Sequence, residues 1–280
     1  MINNNDNSDT LSTDTESYLI ILDSRNATNY LNGSFNSSVI FQFEDSIRFN
    51  SKAIKCSCSL SQFISPNSIY TINETNSLLS IIILGVTTNY VIDYGNYNCY
   101  TFMTKLIEKL GSNFNIVVNI INNKFTLSNT INNFTINATS TIYNIMGFVN
   151  NINYTSSNLS LTFPFTCNFN GVQSLNISFQ NLNTNNIDSF TKTNSSIIQS
   201  IPIDNTLQQI IFNKTNEFKL RVRQDTIDFI QIDITDNLNN LVNFNGQFWN
   251  ITLEFTELKD YNRFHYNYNF SSILHQGYNK

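Results

Sequence analysis

The chain has 280 residues, 41% of them apolar and only 12% charged, with a net charge of −5 at pH 7. The apolar share is enough for one large β domain or two modest ones, and the charged share is about half the usual ~25% of a soluble domain. There is no block of clustered Lys and Arg to neutralise phosphates, which excludes nucleic-acid binding as the main activity. Asn, Ser and Thr supply the polarity instead. An uncharged polar surface suits burial against partners, although a compositional bias toward Asn gives the same picture.

Residues 1–16 are poor in apolar side chains and read as a disordered N-terminal arm. Their start has neither a basic region nor an apolar run, so no signal peptide is expected. No segment approaches the roughly 20 apolar residues of a membrane span. Triplets such as Asn26-Ala27-Thr28 are then not read as glycosylation sites, because they arise by chance in an Asn/Ser/Thr-rich chain. Order begins with the apolar run at 17–22, which stops at the turn Asp23-Ser24-Arg25-Asn26. Residues 38–43 alternate through Val39, Phe41 and Phe43. Residues 54–60 alternate again and close at Pro66-Asn67-Ser68. These are the first strands of a sandwich.

The texture changes after residue 69. A continuous apolar stretch at 77–84 and a strand at 89–93 lead to the turn Tyr94-Gly95-Asn96-Tyr97-Asn98. Phe102, Met103, Leu106, Ile107 and Leu110 then mark one face of a helix, with Asn98 as N-cap and Gly111 as the left-handed stop. A hairpin follows, 115–121 returning over 124–127 through a tight turn at Asn122-Asn123. Residues 139–146 predict a short second helix ended by Gly147. This mixed α/β block, 70–150, reads as an insertion between two all-β parts. Alternation resumes from Leu159 (Leu159, Leu161, Phe163), then Leu175, Ile177 and Phe179. A long polar loop at 181–196 precedes Ile197 to Ile203, and strands are predicted at 209–212 and 218–222.

The most regular stretch is 226–255. Trp249, Ile251, Leu253 and Phe255 alternate with Asn250, Thr252 and Glu254, giving a strand with one dry face. Ile230, Ile232 and Ile234 do the same, but Ile227 and Phe229 are out of phase with them, which predicts a bulge at Phe229-Ile230. The two runs look like the closing strand pair of a β-sandwich. Residues 257–280 form an aromatic C-terminal tail (Tyr261, Phe264, Tyr266, Tyr268, Phe270), expected to pack on a neighbour or back on the body. The expected fold is mainly β: a single jelly-roll sandwich of about eight strands, built from 17–69 and 151–256, with the α/β block inserted.

Catalytic chemistry finds little support. A nucleophile needs a positioned base, and the only histidines, His265 and His275, lie in the tail. Asp228 and Asp233 fall on opposite faces of a regular strand and read as solvated charges. Arg221 and Arg223 make a small basic ridge that suits either solvent or a subunit contact. Of the four cysteines, Cys56, Cys58, Cys99 and Cys167, the first two share one strand face and read as small buried hydrophobes, and a zinc site would need more ligands at suitable spacing. Gly95 and Gly246 each stand alone in turns, so no phosphate-binding loop is present. No enzymatic activity, cofactor or metal is expected.

Several marks nevertheless line up along the chain. They are Asp23-Ser24-Arg25; Ile69-Tyr70-Thr71-Ile72-Asn73 with Asn76 and Leu78; Gly95-Asn96-Tyr97 opening the helix; and Ile145-Met146-Gly147-Phe148. Ile201-Pro202-Ile203 and Val242-Asn243-Phe244-Asn245-Gly246-Gln247-Phe248-Trp249 complete the set. In this order and spacing, from about Tyr18 to Phe255, the chain resembles the penton (minor capsid) proteins of virophages and polinton-like viruses. The resemblance implies an upright jelly roll in a homopentamer at the icosahedral vertex. It implies contact with a double jelly-roll major capsid protein, assembly in the host cytoplasm, and an inserted block that is distal and points outward, where the host surface is a candidate partner. The Asn-rich, Lys-poor surface departs from a typical capsid protein, and the tail has no counterpart in the family. The alternative is a jelly-roll module for glycan binding or host attachment, which the Tyr, Asn and Asp of the loops would suit.

Overall fold

The computed structural model describes residues 13–49, 53–182, 186–187, 194–204, 208–214, 219–222 and 224–260. The tail aromatics, both histidines and Arg223 lie outside them. In chain order the main elements are β1 (Thr13–Asp23), β2 (Ser38–Arg48), β3 (Ala53–Pro66), β4 (Leu78–Ile83), β5 (Val86–Val91), α1 (Cys99–Leu110), β6 (Phe114–Asn119), β7 (Lys124–Asn129), β8 (Phe134–Ile136) and α2 (Tyr143–Met146). They continue with β9 (Ser160–Thr162), β10 (Ser174–Phe179), β11 (Ile197–Pro202), β12 (Ile210–Lys214), β13 (Leu220–Val222), β14 (Thr226–Thr235) and β15 (Asn250–Asp260). The chain divides into two units, one formed by residues up to 68 and from 174 onward, the other by Ile69–Gln173.

The first unit is mainly antiparallel β. One sheet has the order β1-β15-β3-β12, with β13 also on β3, and the other runs β11-β10-β14-β2 with the two-residue strand Asn29–Tyr30 at its edge. Counting β12 and β13 together, because both pair with β3, the successive strands read 1-8-3-6 in one sheet and 5-4-7-2 in the other. That order is the double Greek key of a jelly roll. Ile69–Gln173 interrupts it between the third and fourth strands.

The alternation seen in the sequence fills the space between the sheets. Trp249, Ile251, Leu253 and Phe255 are all fully buried, as are Ile230, Ile232 and Ile234. Phe41 meets Trp249 edge-on at 6.2 Å between ring centres, and Phe49 lies 5.6 Å from Phe255. Each such side chain contributes roughly 1.5–3 kcal/mol by leaving water. The β14–β2 ladder slips register between Ile227 and Phe229, just before the Phe229-Ile230 step at which the phase break predicts a bulge.

Three expectations for this unit are corrected. β14 and β15 are not a strand pair: β14 lies between β10 and β2, and β15 between β1 and β3, in different sheets. Both edges of each are already occupied, so the polar connection crosses from one sheet to the other. Residues 13–16, expected in a disordered arm, are the start of β1, because the β15 ladder runs from Asp23↔Asn250 out to Thr13↔Asp260. The same ladder takes residues 257–260 out of the expected tail.

The second unit surrounds a core of Phe102, Leu106, Phe125, Leu127, Phe134, Ile136 and Phe163 among others. α1 forms where its apolar face was read. Asn98 caps it by accepting from the backbone of Tyr100 and Thr101, while the Thr101 hydroxyl accepts from Asn98 N–H, a reciprocal capping box. The hairpin turn between β6 and β7 is longer than expected, four residues from Ile120 to Asn123, with Asn123 left-handed at φ 53°. Residues 151–173, expected to resume the jelly roll, belong here instead. β9 pairs with β7 (Ser160↔Ser128), and Phe163 enters the core. The other sheet of this unit runs from the two-residue strand Tyr154–Thr155 through β8 and β4 to β5.

Candidate functional site

The motif residues gather into two separate clusters, one in each unit. In the jelly roll, Asp23-Ser24-Arg25 and Phe244 to Trp249 come together at one end of β1 and β15. Ser24 and Trp249 exchange two bonds at 2.9 Å: Ser24 N–H donates to Trp249 O, and Trp249 N–H donates to Ser24 Oγ. The Trp249 indole donates to Asn36 O at 2.6 Å, and the Asn36 amide donates to Gln247 O at 3.1 Å. Ser68 Oγ donates to Phe244 O, and Asn245 Nδ2 to Ser68 O, both at 2.6 Å. Asn245 and Gly246 are both left-handed (φ 51° and 76°), which explains Asn-Gly at this turn. Arg25 forks onto the Asp23 carboxylate, and these hydrogen bonds hold that carboxyl below its usual range. These contacts are structural. They hold the chain ends of two strands. Ile201 is buried on β11, and the exposed Pro202 sits at the end of that edge strand, where its missing N–H costs no ladder bond.

In the inserted unit, Ile72 and Gly95 form an antiparallel bridge (N–H to O, 3.0 and 2.9 Å), and Asn96 Oδ1 accepts from both N–H and Oγ1 of Thr71. Asn76 Oδ1 accepts from Asn73 N–H, while its Nδ2 donates to Thr71 O. The Tyr97 hydroxyl donates to Asp93 O, and its ring meets Phe102 edge-on. Two marks more than twenty residues apart are therefore one docked turn pair. Gly147 ends α2 at φ 83°, and a Cβ there would stand 2.3 Å from Phe165 O, so only glycine fits. Phe148 stacks on Phe163 at 5.3 Å. Phe165 carries no sequence signal as the partner of Gly147, because its role comes through its backbone.

Among the described residues the charged groups pair separately rather than in one cluster. Asp228 and Asp233 were expected on opposite faces, but the bulge resets the phase and turns both outward. They bind different partners, Ser46 Oγ and Ser38 Oγ. Asp93 pairs with Lys105 and Lys109, each at 2.7 Å, which pulls its carboxyl below the usual 3.8 and pushes Lys105 up to about 12. Burial pushes the Cys58 thiol far up and raises Cys56 and Cys167, the opposite of an activated thiolate. Among the described residues no group of three or more His, Cys, Asp or Glu is placed to hold a metal ion, and no helix is long and apolar enough to cross a membrane.

What the jelly roll does present is apolar side chain at two opposite edges of one sheet. β1 exposes Leu19 (61%) and Ile21 (73%), and β12 exposes Ile210 and Phe212 to a similar degree. The inserted unit has an open cleft of about 350 Å³, lined by Tyr143, Asn144, Phe148, Asn150, Phe165 and Asn168 among others.

No family model matches the chain, and no curated protein matches it. Among solved structures, the crystal structure of the mavirus penton protein is similar, at 12% identity and a TM-score of 0.44, with 87% of this chain and 100% of that chain covered.

Proposed function

We propose that this chain is a structural virion protein of the penton type, a minor capsid protein that forms a homopentamer at the icosahedral vertex beside a double jelly-roll major capsid protein. The observation that carries the assembly is the pair of strands β1 and β12, each with exposed apolar side chains, at opposite edges of one sheet among the described strands. Edge strands expose unpaired backbone groups, and exposed apolar edges favour association. Two different edges that fit one another make a heterologous contact, and such contacts form a ring when the rotation between copies closes. The number five and the vertex come from the ordered motif set, whose members shape the turns of both units. Such a protein acts by fit and needs no reactive group. In this reading it resides in the virion and assembles in the host cytoplasm. Co-expression with the major capsid protein, followed by electron microscopy, tests it: closed shells with occupied vertices are expected, and shells that leave this chain in the supernatant would refute it.

The cleft in the inserted unit favours one second reading, attachment to a host glycan. Exposed Phe165 offers an apolar face and the neighbouring Asn144 and Asn150 offer amides, with no charged side chain around the cleft. A glycan array probed with the intact chain and with Phe165→Ala decides it. Signal lost in the variant supports attachment, and an array without signal removes it.

A further inference from the structure

The cleft of the inserted unit is shaped by backbone. Phe165 N–H donates to Gly147 O at 2.9 Å, and Asn168 N–H donates to Ile145 O at 3.2 Å, so residues 165–168 are tied along α2 and the turn that ends it. The chain changes face at this point. Phe163 is fully buried and its N–H donates to Phe125 O, while Phe165, two residues on, is 54% exposed and lines the cleft. In an unbroken strand the two rings would share a face. Pro164 between them has no N–H to continue a ladder.

The polar groups around that ring are unengaged. The exposed side chains of Asn144, Asn150 and Thr166 line the cleft and take no hydrogen-bond partner among the described residues. Asn76, Asn96 and Asn129 of the same unit, by contrast, use their amides on nearby backbone. No charged side chain lines the cleft. A carboxylate or sulfate brought there would lose water without gaining a charged partner. A neutral sugar meets no such cost. It has an apolar C–H face to lay on an aromatic ring, and hydroxyls that pair with amides.

We infer that the cleft takes a neutral pyranose, an uncharged hexose or N-acetylhexosamine of a glycan, with its C–H face on Phe165 and its hydroxyls on Asn144 and Asn150. This rests on the attachment reading given above and names the class of glycan. The test uses the intact chain on an array of neutral oligosaccharides, the same oligosaccharides capped with sialic acid, and the same bearing sulfate. Signal is expected on the neutral probes alone. Phe165→Ala should lose at least ~10-fold of it, and Phe165→Trp should keep it. The signal should stay within ~2-fold between ~0.05 and ~0.5 M salt, because no ion pair is there to be screened. The Asn144→Ala/Asn150→Ala double variant changes only exposed side chains and should lose the signal as well, so it decides the matter if Phe165→Ala melts early. Signal as strong on the acidic probes, lost in the same variants, overturns the neutral class and leaves attachment at the cleft standing. Neutral signal that survives in both variants overturns the cleft as the site. An array without signal overturns this inference and the attachment reading together.

Discussion

The jelly roll and the inserted unit are both antiparallel β structures, but they close over very different sequence distances. In the jelly roll, residues 13–23 pair with 250–260, and Ser17 meets Thr256 across nearly the whole chain. In the inserted unit, β4 turns into β5 at Leu84-Gly85, and β6 into β7 within four residues. Loop-closure entropy opposes the first arrangement far more than the second. The inserted unit therefore gains most of its order locally, from hairpins, a capped helix and Asn side chains that bind nearby backbone. The jelly roll depends on long-range ladders.

The largest effect is expected where the long-range closure is tied. Trp249→Ala should cost about 3–5 kcal/mol by opening a cavity between the sheets, read as faster amide exchange across β15 and β3. Trp249→Phe should cost about 1–3 kcal/mol by leaving Asn36 O without its donor. An equal loss in α1 would break the distinction between the units.

Next is Gly147→Ala in the inserted unit. The left-handed φ costs about 1–2 kcal/mol and the collision with Phe165 O about 1–3 more. Gly85→Ala provides the control, since it has a similar φ with nothing within 4 Å and should lose only the conformational part. Denaturant melts that rank the two equally would contradict the close packing at Gly147.

Much of the inserted unit was legible because its signals are local. Asn98, the face from Phe102 to Leu110, and Gly111 mark α1 on both ends. Gly147 marks the end of α2 for the same reason. The far limit of the unit was not legible, since Leu161 and Phe163 alternate like any jelly-roll strand and no residue in β9 says that its partner is β7. In the jelly roll, the phase break at Ile227 and Phe229 announced the bulge. Its consequence, Asp228 and Asp233 on one face, follows only once the bulge is counted. Neighbours in sequence usually pair, and β14 and β15 depart from that rule because three of their four ladder partners, β1, β2 and β3, lie more than a hundred residues away. The apolar edge of β1 was visible as a run at 17–22, but which of its residues face outward depends on the ladder with β15.

Smaller effects sharpen the local side of the comparison. Asn98→Ala removes the acceptor for two N–H groups at the start of α1 and should cost about 1 kcal/mol, with Asn98→Asp close to neutral in helix content by circular dichroism. The smallest change is expected at Asp93. Its folded carboxyl titrates below the ordinary 3.8 because Lys105 and Lys109 hold it ionised, so its stabilisation is present above that pH and lost as pH falls through the lower folded value. Asp93→Asn should lower the melting temperature slightly at neutral pH and not at all in strong acid, and high salt should erase the difference.

The mass of the intact chain in solution is the most direct measurement. Light scattering over a wide concentration range should give a species of five chains, about five times 32.1 kDa. A single-chain mass at every concentration, unchanged when the major capsid protein is added, would contradict assembly through the edges of the jelly roll.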